Sequence, residues 1–242
     1  MTVANQAKNN RPKLKDNAMN NVIEMTGVSY TKSKGLFKKN RFKLDNISFS
    51  LPYGYICAIT GANGAGKSTL FSAILDNDSR YNGNIRICDM DLRENHVHLN
   101  QKIAYISEDR IFYNEKSAME NAQLLSILYE EFDMDTFEES LGKMNIPRSK
   151  YLYSMSRGEF LRFQLAFAMA QKPALYLMDE VTAGMDPVFK IDFFRMVHEI
   201  IEDETASVIM ITHIEEEITR QMDYVGIMEN GKLVSFKENE AV

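Results

Sequence analysis

The sequence predicts an α/β fold with a mixed sheet, an antiparallel β element at its N-terminus and a helical subdomain inserted in the core. Three observations predict it. Short β-branched runs recur from Val22 onward, separated in the middle of the chain by longer helical patterns. A glycine-rich loop, GANGAGKST over residues 61–69, stands between one such run and a helical segment. Between about residues 92 and 172 strand signals nearly vanish.

At 242 residues with 45% hydrophobic content the chain is large enough for a buried core, which argues against a disordered chain. Residues 1–18 are polar, rich in Asn and Lys and without apolar periodicity, which predicts a flexible leader over 1–21, with Met19 a candidate natural start. Residues 22–236 form the expected domain and 237–242 a short tail. Two crowded strands before Gly61 predict the antiparallel element. The runs Tyr55–Thr60 and Ala174–Met178 read as buried strands. The pair Tyr224–Glu229 and Lys232–Phe236, split by Asn230-Gly231, reads as a hairpin, because both turn residues tolerate positive φ.

Composition narrows the function. A net charge of −6 argues against a general nucleic-acid binder, which needs excess Lys and Arg. No stretch approaches the roughly 18 apolar residues of a membrane span. Cys57 and Cys88 lie in apolar contexts without metal-ligand spacing, which predicts reduced, buried thiols and a cytoplasmic setting. His96, His98 and His198 show no ligand spacing.

Gly61, Ala62, Asn63, Gly64, Ala65, Gly66, Lys67, Ser68 and Thr69 form the phosphate-binding loop of a P-loop nucleoside triphosphatase core. Glycines let consecutive backbone N–H groups converge on phosphate oxygens, and the following helix adds its positive dipole end. Lys67 is expected to bridge the β and γ phosphates, with the Ser68 hydroxyl on Mg²⁺. Asp179 ends a buried strand and is expected to hold Mg²⁺ through water. Glu180, next in the chain, is placed to accept a proton from the attacking water.

The segment MSRGE, 155–159, has two readings. Ser156-x-x-Glu159 is an ordinary helix capping box, and Ser156, Arg157, Gly158 and Glu159 at a helix start also make an incomplete anion site. Asp186-Pro187 likewise reads as an N-cap followed by proline at the first helical position.

Phosphate loop, signature, acidic strand end, AGMDP at 183–187 and ITH at 211–213, in this order, resemble the ATP-binding-cassette ATPase family over residues 22–236, and most closely the ATPase subunits of bacterial exporters of peptides, antibiotics or lipids. The resemblance implies ATP and Mg²⁺ as ligands and a second copy, or a similar chain, as partner. Each nucleotide would lie between one chain's phosphate loop and the other's signature. It further implies that Ser156 and Gly158 contact the partner's γ-phosphate, that Asp186 communicates across the dimer, and that His213 holds the γ-phosphate and the attacking water. The expected setting is peripheral, on the cytoplasmic face of the membrane, driving a separate permease; a soluble cassette ATPase of repair, translation or cofactor assembly shares every nucleotide motif and is the alternative. A GTPase is disfavoured because no Asn-Lys-x-Asp segment follows the loop. A small-molecule kinase would leave Ser156, Glu180 and His213 idle.

The chain departs from the family pattern in places. Glu108 stands where the family has Gln, and is expected still to ligate Mg²⁺. Arg157 and Glu159 replace the commoner Gly and Gln of the signature. Tyr30, Phe37 or Phe42 is left to stack on adenine, with Phe42 favoured. The cationic stretch Lys32–Lys43 reads as a solvated hairpin loop or as a phosphate- or lipid-attracting patch. The acidic stretch Glu130–Glu139 reads as a polar face or as a dock for a basic helix.

Overall fold

The computed structural model describes residues 20–32, 42–75, 81–109 and 111–240. The leader up to residue 19, Phe37 with the rest of the cationic stretch up to Arg41, and the side chains of Lys32 and Phe42 lie outside the described residues.

Two sheets carry the fold. The first is antiparallel, in the order β2 (Phe42–Pro52), β1 (Asn21–Lys32), β4 (Tyr81–Ile87), β5 (Met90–Asp91). It is the expected N-terminal antiparallel element, and it recruits β4 from beyond the phosphate loop. The second sheet is mixed and runs β10 (Lys232–Glu238), β9 (Tyr224–Glu229), β3 (Ile56–Thr60), β8 (Ser207–Ile211), β7 (Leu175–Asp179), β6 (Ile103–Ile106). Five of its strands are parallel, and β10 pairs antiparallel with β9 at the edge. The β9–β10 turn has φ of 47° at Asn230 and 82° at Gly231, which fits the Asn-Gly signal.

The central strands β3, β8 and β7 are buried on both faces, so they read as near-continuous apolar runs instead of alternating with polar residues. Period-two geometry then divides them between two cores. Ile56, Ala58, Ala104, Ile106, Tyr176, Met178, Val208 and Met210 face α5 (Arg157–Gln171) and α6 (Pro187–Ile201). Cys57, Ile59, Leu175, Leu177, Ile209 and Ile211 face α1 (Lys67–Leu75) and the antiparallel sheet.

Within residues 92–172 the elements are of two kinds. The helix α2 (Leu92–Gln101) packs on β4 and β5, and β6 is the edge strand of the mixed sheet. Helices α3 (Ala118–Leu125) and α4 (Met134–Lys143) gather on α5 around an aromatic cluster of Phe112, Phe132, Phe137, Phe163 and Phe167. A last short helix, α7 (Glu215–Gln221), precedes β9. Cys57 is buried, whereas Cys88, expected to be buried, is only partly so because it sits in the β4–β5 turn with φ of 50°.

Candidate functional site

The site gathers at the C-terminal ends of the parallel strands, where ligands of open α/β sheets collect. From β3 the chain enters the loop at Gly61, whose φ of 144° and whose place against the Met228 carbonyl, which a Cβ would overlap, admit only glycine. The β9–β10 turn braces the far side, with Gly231 N–H donating to the Ala65 carbonyl at 2.8 Å. Helix α1 begins at Lys67, so the loop delivers its backbone to a helix N-terminus.

Lys67 is 5% exposed, and its ammonium donates to the carbonyls of Gly61 at 2.8 Å and Ala62 at 3.2 Å. The long side chain therefore curls back over the loop's own concavity. Ser68 is exposed and hydrogen-bonds the Asp179 carboxylate. Tyr105, at the end of β6, donates its hydroxyl to Asp179 Oδ2 at 3.4 Å. Burial pushes the Asp179 carboxyl above its ordinary value; the Ser68 hydrogen bond opposes this and the Glu180 charge adds to it. Glu180 follows with φ of 51°, its N–H donating to the Ile211 carbonyl at 3.1 Å, so the backbone turns sharply where β7 ends beside β8.

Lys67, Ser68, Asp179 and Glu180 thus come together. The oxygen donors of Ser68 and Asp179 fit Mg²⁺, which prefers hard oxygen ligands and is commonly held by one or two protein groups, phosphates and water. Burial of the Asp179 charge favours a cation beside it. No group of three or more His, Cys, Asp or Glu able to hold a metal occurs among the described residues.

Glu108 lies just beyond the end of β6. Its carboxylate pairs with the Arg157 guanidinium, while Ser68 and Asp179 engage each other. Arg157 also lies beside the 183–187 segment, Nη1 standing 3.2 Å from where a Gly184 Cβ would be. The two departures from the family pattern are thus one pair of opposite charges.

The signature residues form both expected readings' common framework. Ser156 caps α5 by accepting from Glu159 N–H at 3.3 Å, and Glu159 accepts from Ser156 N–H at 2.9 Å. Lys150 donates to Glu159 at 2.7 Å and, with the Ser156 amide, holds its carboxyl down at about 2. Gly158 opens the first turn of the same helix. No hydrogen bond or ion pair joins residues 156–159 to residues 61–69 among the described residues. Asp186 caps α6 by accepting from Phe189 N–H at 2.9 Å, with Pro187 first in the helix. His213 is exposed beyond β8. Tyr30 is buried at 4% in the antiparallel sheet and offers no free ring face for adenine.

Three residues that the sequence reading passed over support the site. Tyr105 could have been found from alternation along β6, which puts it on the face of Leu177. Gln164 stands out only as a polar residue in an apolar helical run; its amide donates to the Ser107 carbonyl at 2.8 Å and accepts from Ser107 N–H at 3.3 Å, holding the strand end before Glu108. Glu217 carried no local signal, since Thr182 and Lys190 are distant in sequence and Thr212, five residues before it, stands outside its helix. In the acidic stretch, Glu131, Asp133, Glu138 and Glu139 pair with Lys102, Lys172, Arg148 and Lys143, which favours the polar-face reading.

A strand, a glycine loop closing on a buried lysine, and an aspartate at the end of a parallel strand one removed across β8 define a P-loop nucleoside triphosphatase. More narrowly, residues 44–183 match the family model described as ABC transporter, and the chain belongs to that family. Among curated relatives, the chain is 26% identical to the ABC transporter ATP-binding protein YtrB of Bacillus subtilis (strain 168), over 79% of this chain and 65% of that protein. It is 28% identical to the bacitracin transport ATP-binding protein BcrA of Bacillus licheniformis, over 89% of this chain and 69% of that one. The matches span 59% of the methionine import ATP-binding protein MetN of Histophilus somni (strain 129Pt), so the chain covers under two thirds of some relatives. A solved structure described as the ATP binding subunit of an ABC transporter shares the fold, with a TM-score of 0.77, 24% identity and coverage of 90% of both chains. Asp186, His213 and Glu217 lie beyond the residues that the family model matches.

Proposed function

We propose that the chain binds and hydrolyses ATP with Mg²⁺, as one of two cassettes that close head to tail and drive a separate membrane protein. The observation that carries this reading is the cluster of Lys67, Ser68, Asp179 and Glu180, set against a second helix-start anion site at Ser156–Glu159 that makes no bond to it. Two unlike halves on one chain call for a neighbour to complete each.

In this mechanism the loop amides and Lys67 take up the phosphates, Lys67 exchanging its two carbonyl partners for β and γ oxygens. Ser68 and Asp179 hold Mg²⁺, which when bound offsets charge on the phosphates. Glu180 accepts a proton from water as its oxygen bonds to the γ-phosphorus and the bond to the β–γ bridging oxygen breaks, leaving ADP and phosphate. His213 steadies the γ-phosphate. Ser156 and Gly158 meet the γ-phosphate held by the other chain, and closure is a population shift because those contacts exist only in the closed pair.

The work is done at the cytoplasmic face of a membrane, the chain remaining peripheral. No helix among the described residues is long and apolar enough to cross a membrane. Binding of a partner is supported by Ile111, Tyr113, Tyr151 and Tyr153, which are 64%, 56%, 46% and 59% exposed, in two segments that the strand-like bridge of Ser117 to Tyr151 holds side by side. Likeness to a protein named for bacitracin transport supports a cargo of the peptide, antibiotic or lipid class.

The test is ATP turnover per chain as a function of chain concentration, with and without Mg²⁺, joined to isolation of the membrane protein that copurifies. Turnover that rises with concentration and needs Mg²⁺ is expected. Full turnover by dilute single chains would overturn the paired site, and copurification with soluble partners alone would favour a non-transport cassette.

A further inference from the structure

We infer that Glu217 is a positioning residue that locks the turn carrying Glu180 to the segment carrying His213. Its carboxylate is 4% exposed, in α7, and touches three other elements. One oxygen, Oε2, accepts from the Thr182 hydroxyl at 2.8 Å and from the Thr212 hydroxyl at 2.8 Å. The other, Oε1, stands 3.0 Å from the Lys190 ammonium, near enough for charge attraction though not aligned as a hydrogen bond.

The sequence positions of those partners give the arrangement its meaning. Thr182 is in the turn that begins at Glu180, Thr212 directly precedes His213, and Lys190 is in the first turn of α6, which Asp186 caps. A single carboxylate therefore ties together the three chain segments that bear Glu180, His213 and Asp186. The Glu180 N–H to Ile211 carbonyl bond joins the first two segments through the backbone as well. Thr212 adds a turn of its own, its hydroxyl accepting from Ile214 N–H at 3.2 Å.

A buried carboxylate is a poor way to gain stability, because desolvation offsets most of its attraction to a lysine. Its advantage is directional: two hydroxyl donors on one oxygen define where both loops must sit, and an apolar side chain of similar size could not do so. Helix α7 has no side-chain N-cap and only 7 residues, so this cluster also fixes its start. Displacement of the His213 segment must either carry the Thr182 turn with it or break a buried polar cluster.

The kinetic consequence rests on the hydrolytic reading above, whereas the mechanical coupling does not. Both are tested with Thr182→Val and Thr212→Val, near-isosteric changes that each remove one hydroxyl arm, alongside Glu217→Gln and Glu217→Ala. Hydrogen exchange of the intact chain is followed in residues 181–186 and 212–218. Thr182→Val is expected to speed exchange at least threefold in 212–218, and Thr212→Val in 181–186. Glu217→Gln, which keeps an acceptor oxygen, should come closer to the parent than Glu217→Ala. In turnover assays Thr182→Val should lower kcat about tenfold, as expected of a misplaced reacting group, with ATP affinity within about twofold of the parent. Exchange confined to the substituted segment in both threonine variants would overturn the inference even if Glu217→Ala does not fold. So would an active parent whose threonine variants keep full kcat. A parent that turns over no ATP would instead overturn the hydrolytic reading, and the exchange measurement would still decide the coupling.

Discussion

The carboxylate of Glu108 and the guanidinium of Arg157 form an ion pair that joins the end of β6 to the start of α5. Their side chains are 56% and 45% exposed, which limits what the pair contributes to stability to about 0.2–1 kcal/mol. A double-mutant cycle with Glu108→Gln and Arg157→Gln, read by urea unfolding, should return a coupling in that range and lose it in high salt. Because Glu108 is engaged by Arg157, Glu108→Ala is expected to leave the Mg²⁺ requirement of turnover intact. A loss of Mg²⁺ dependence in that variant would support Glu108 as a ligand of the metal.

Glu180→Gln keeps the size of the side chain and removes its basicity. Turnover should fall at least a hundredfold, the span general-base catalysis supplies, while ATP binding persists. With ATP the variant should accumulate as a dimer in size-exclusion chromatography. Steady-state hydrolysis at the parent rate would contradict the role proposed for Glu180.

Lys67→Ala removes the ammonium that spans the loop's carbonyls. Its proposed contact is to bound phosphates, so the loss should show in nucleotide affinity itself, by tenfold or more, equivalent to about 1.4 kcal/mol. Equilibrium titration with a fluorescent ATP analogue measures it.

Asp179 is raised in pKa by burial, with Glu180 adding to the effect. A folded-state value above the unfolded one means the protonated form is favoured by folding, so ionisation of this group at neutral pH opposes folding. Asp179→Asn should therefore raise the melting temperature of the nucleotide-free chain at pH 7 while removing Mg²⁺-dependent turnover. The stability gain should shrink as pH falls through the folded pKa and the parent's own carboxyl becomes protonated.

Glu159 has the opposite sign. Its folded value of about 2 lies below the ordinary 4.5, held there by Lys150 first and the Ser156 amide second. The stabilisation is complete above about 4.5 and is lost as pH falls from there through about 2. Glu159→Gln should cost about 1 kcal/mol or less at pH 7, and the gap to the parent should close across that acid window in urea unfolding.

Much of this was legible in the chain alone, for reasons of local physics. The strand, glycines, Lys67 and Ser68 at 61–69 constrain one another within a few residues, and the Asn230-Gly231 turn is set by the φ values those two residues tolerate. The caps at Ser156 and Asp186 are likewise local, since each involves residues three positions apart. Apolar runs announced β3, β7 and β8 because burial on both faces leaves no room for polar alternation.

Tertiary structure decided what depends on contacts between distant segments. Glu108 reads from sequence as one more oxygen donor for a metal, and only the packing of α5 against the end of β6 brings Arg157 to it. Gln164 joins Ser107, Tyr105 reaches Asp179, and Glu217 gathers Thr182, Thr212 and Lys190, through separations that carry no periodic signal. Backbone propensity and turn chemistry act over a few residues and so are written in order along the chain. The partners of a buried polar group are selected by which strands and helices the core brings together, and that exists only once the sheet has formed.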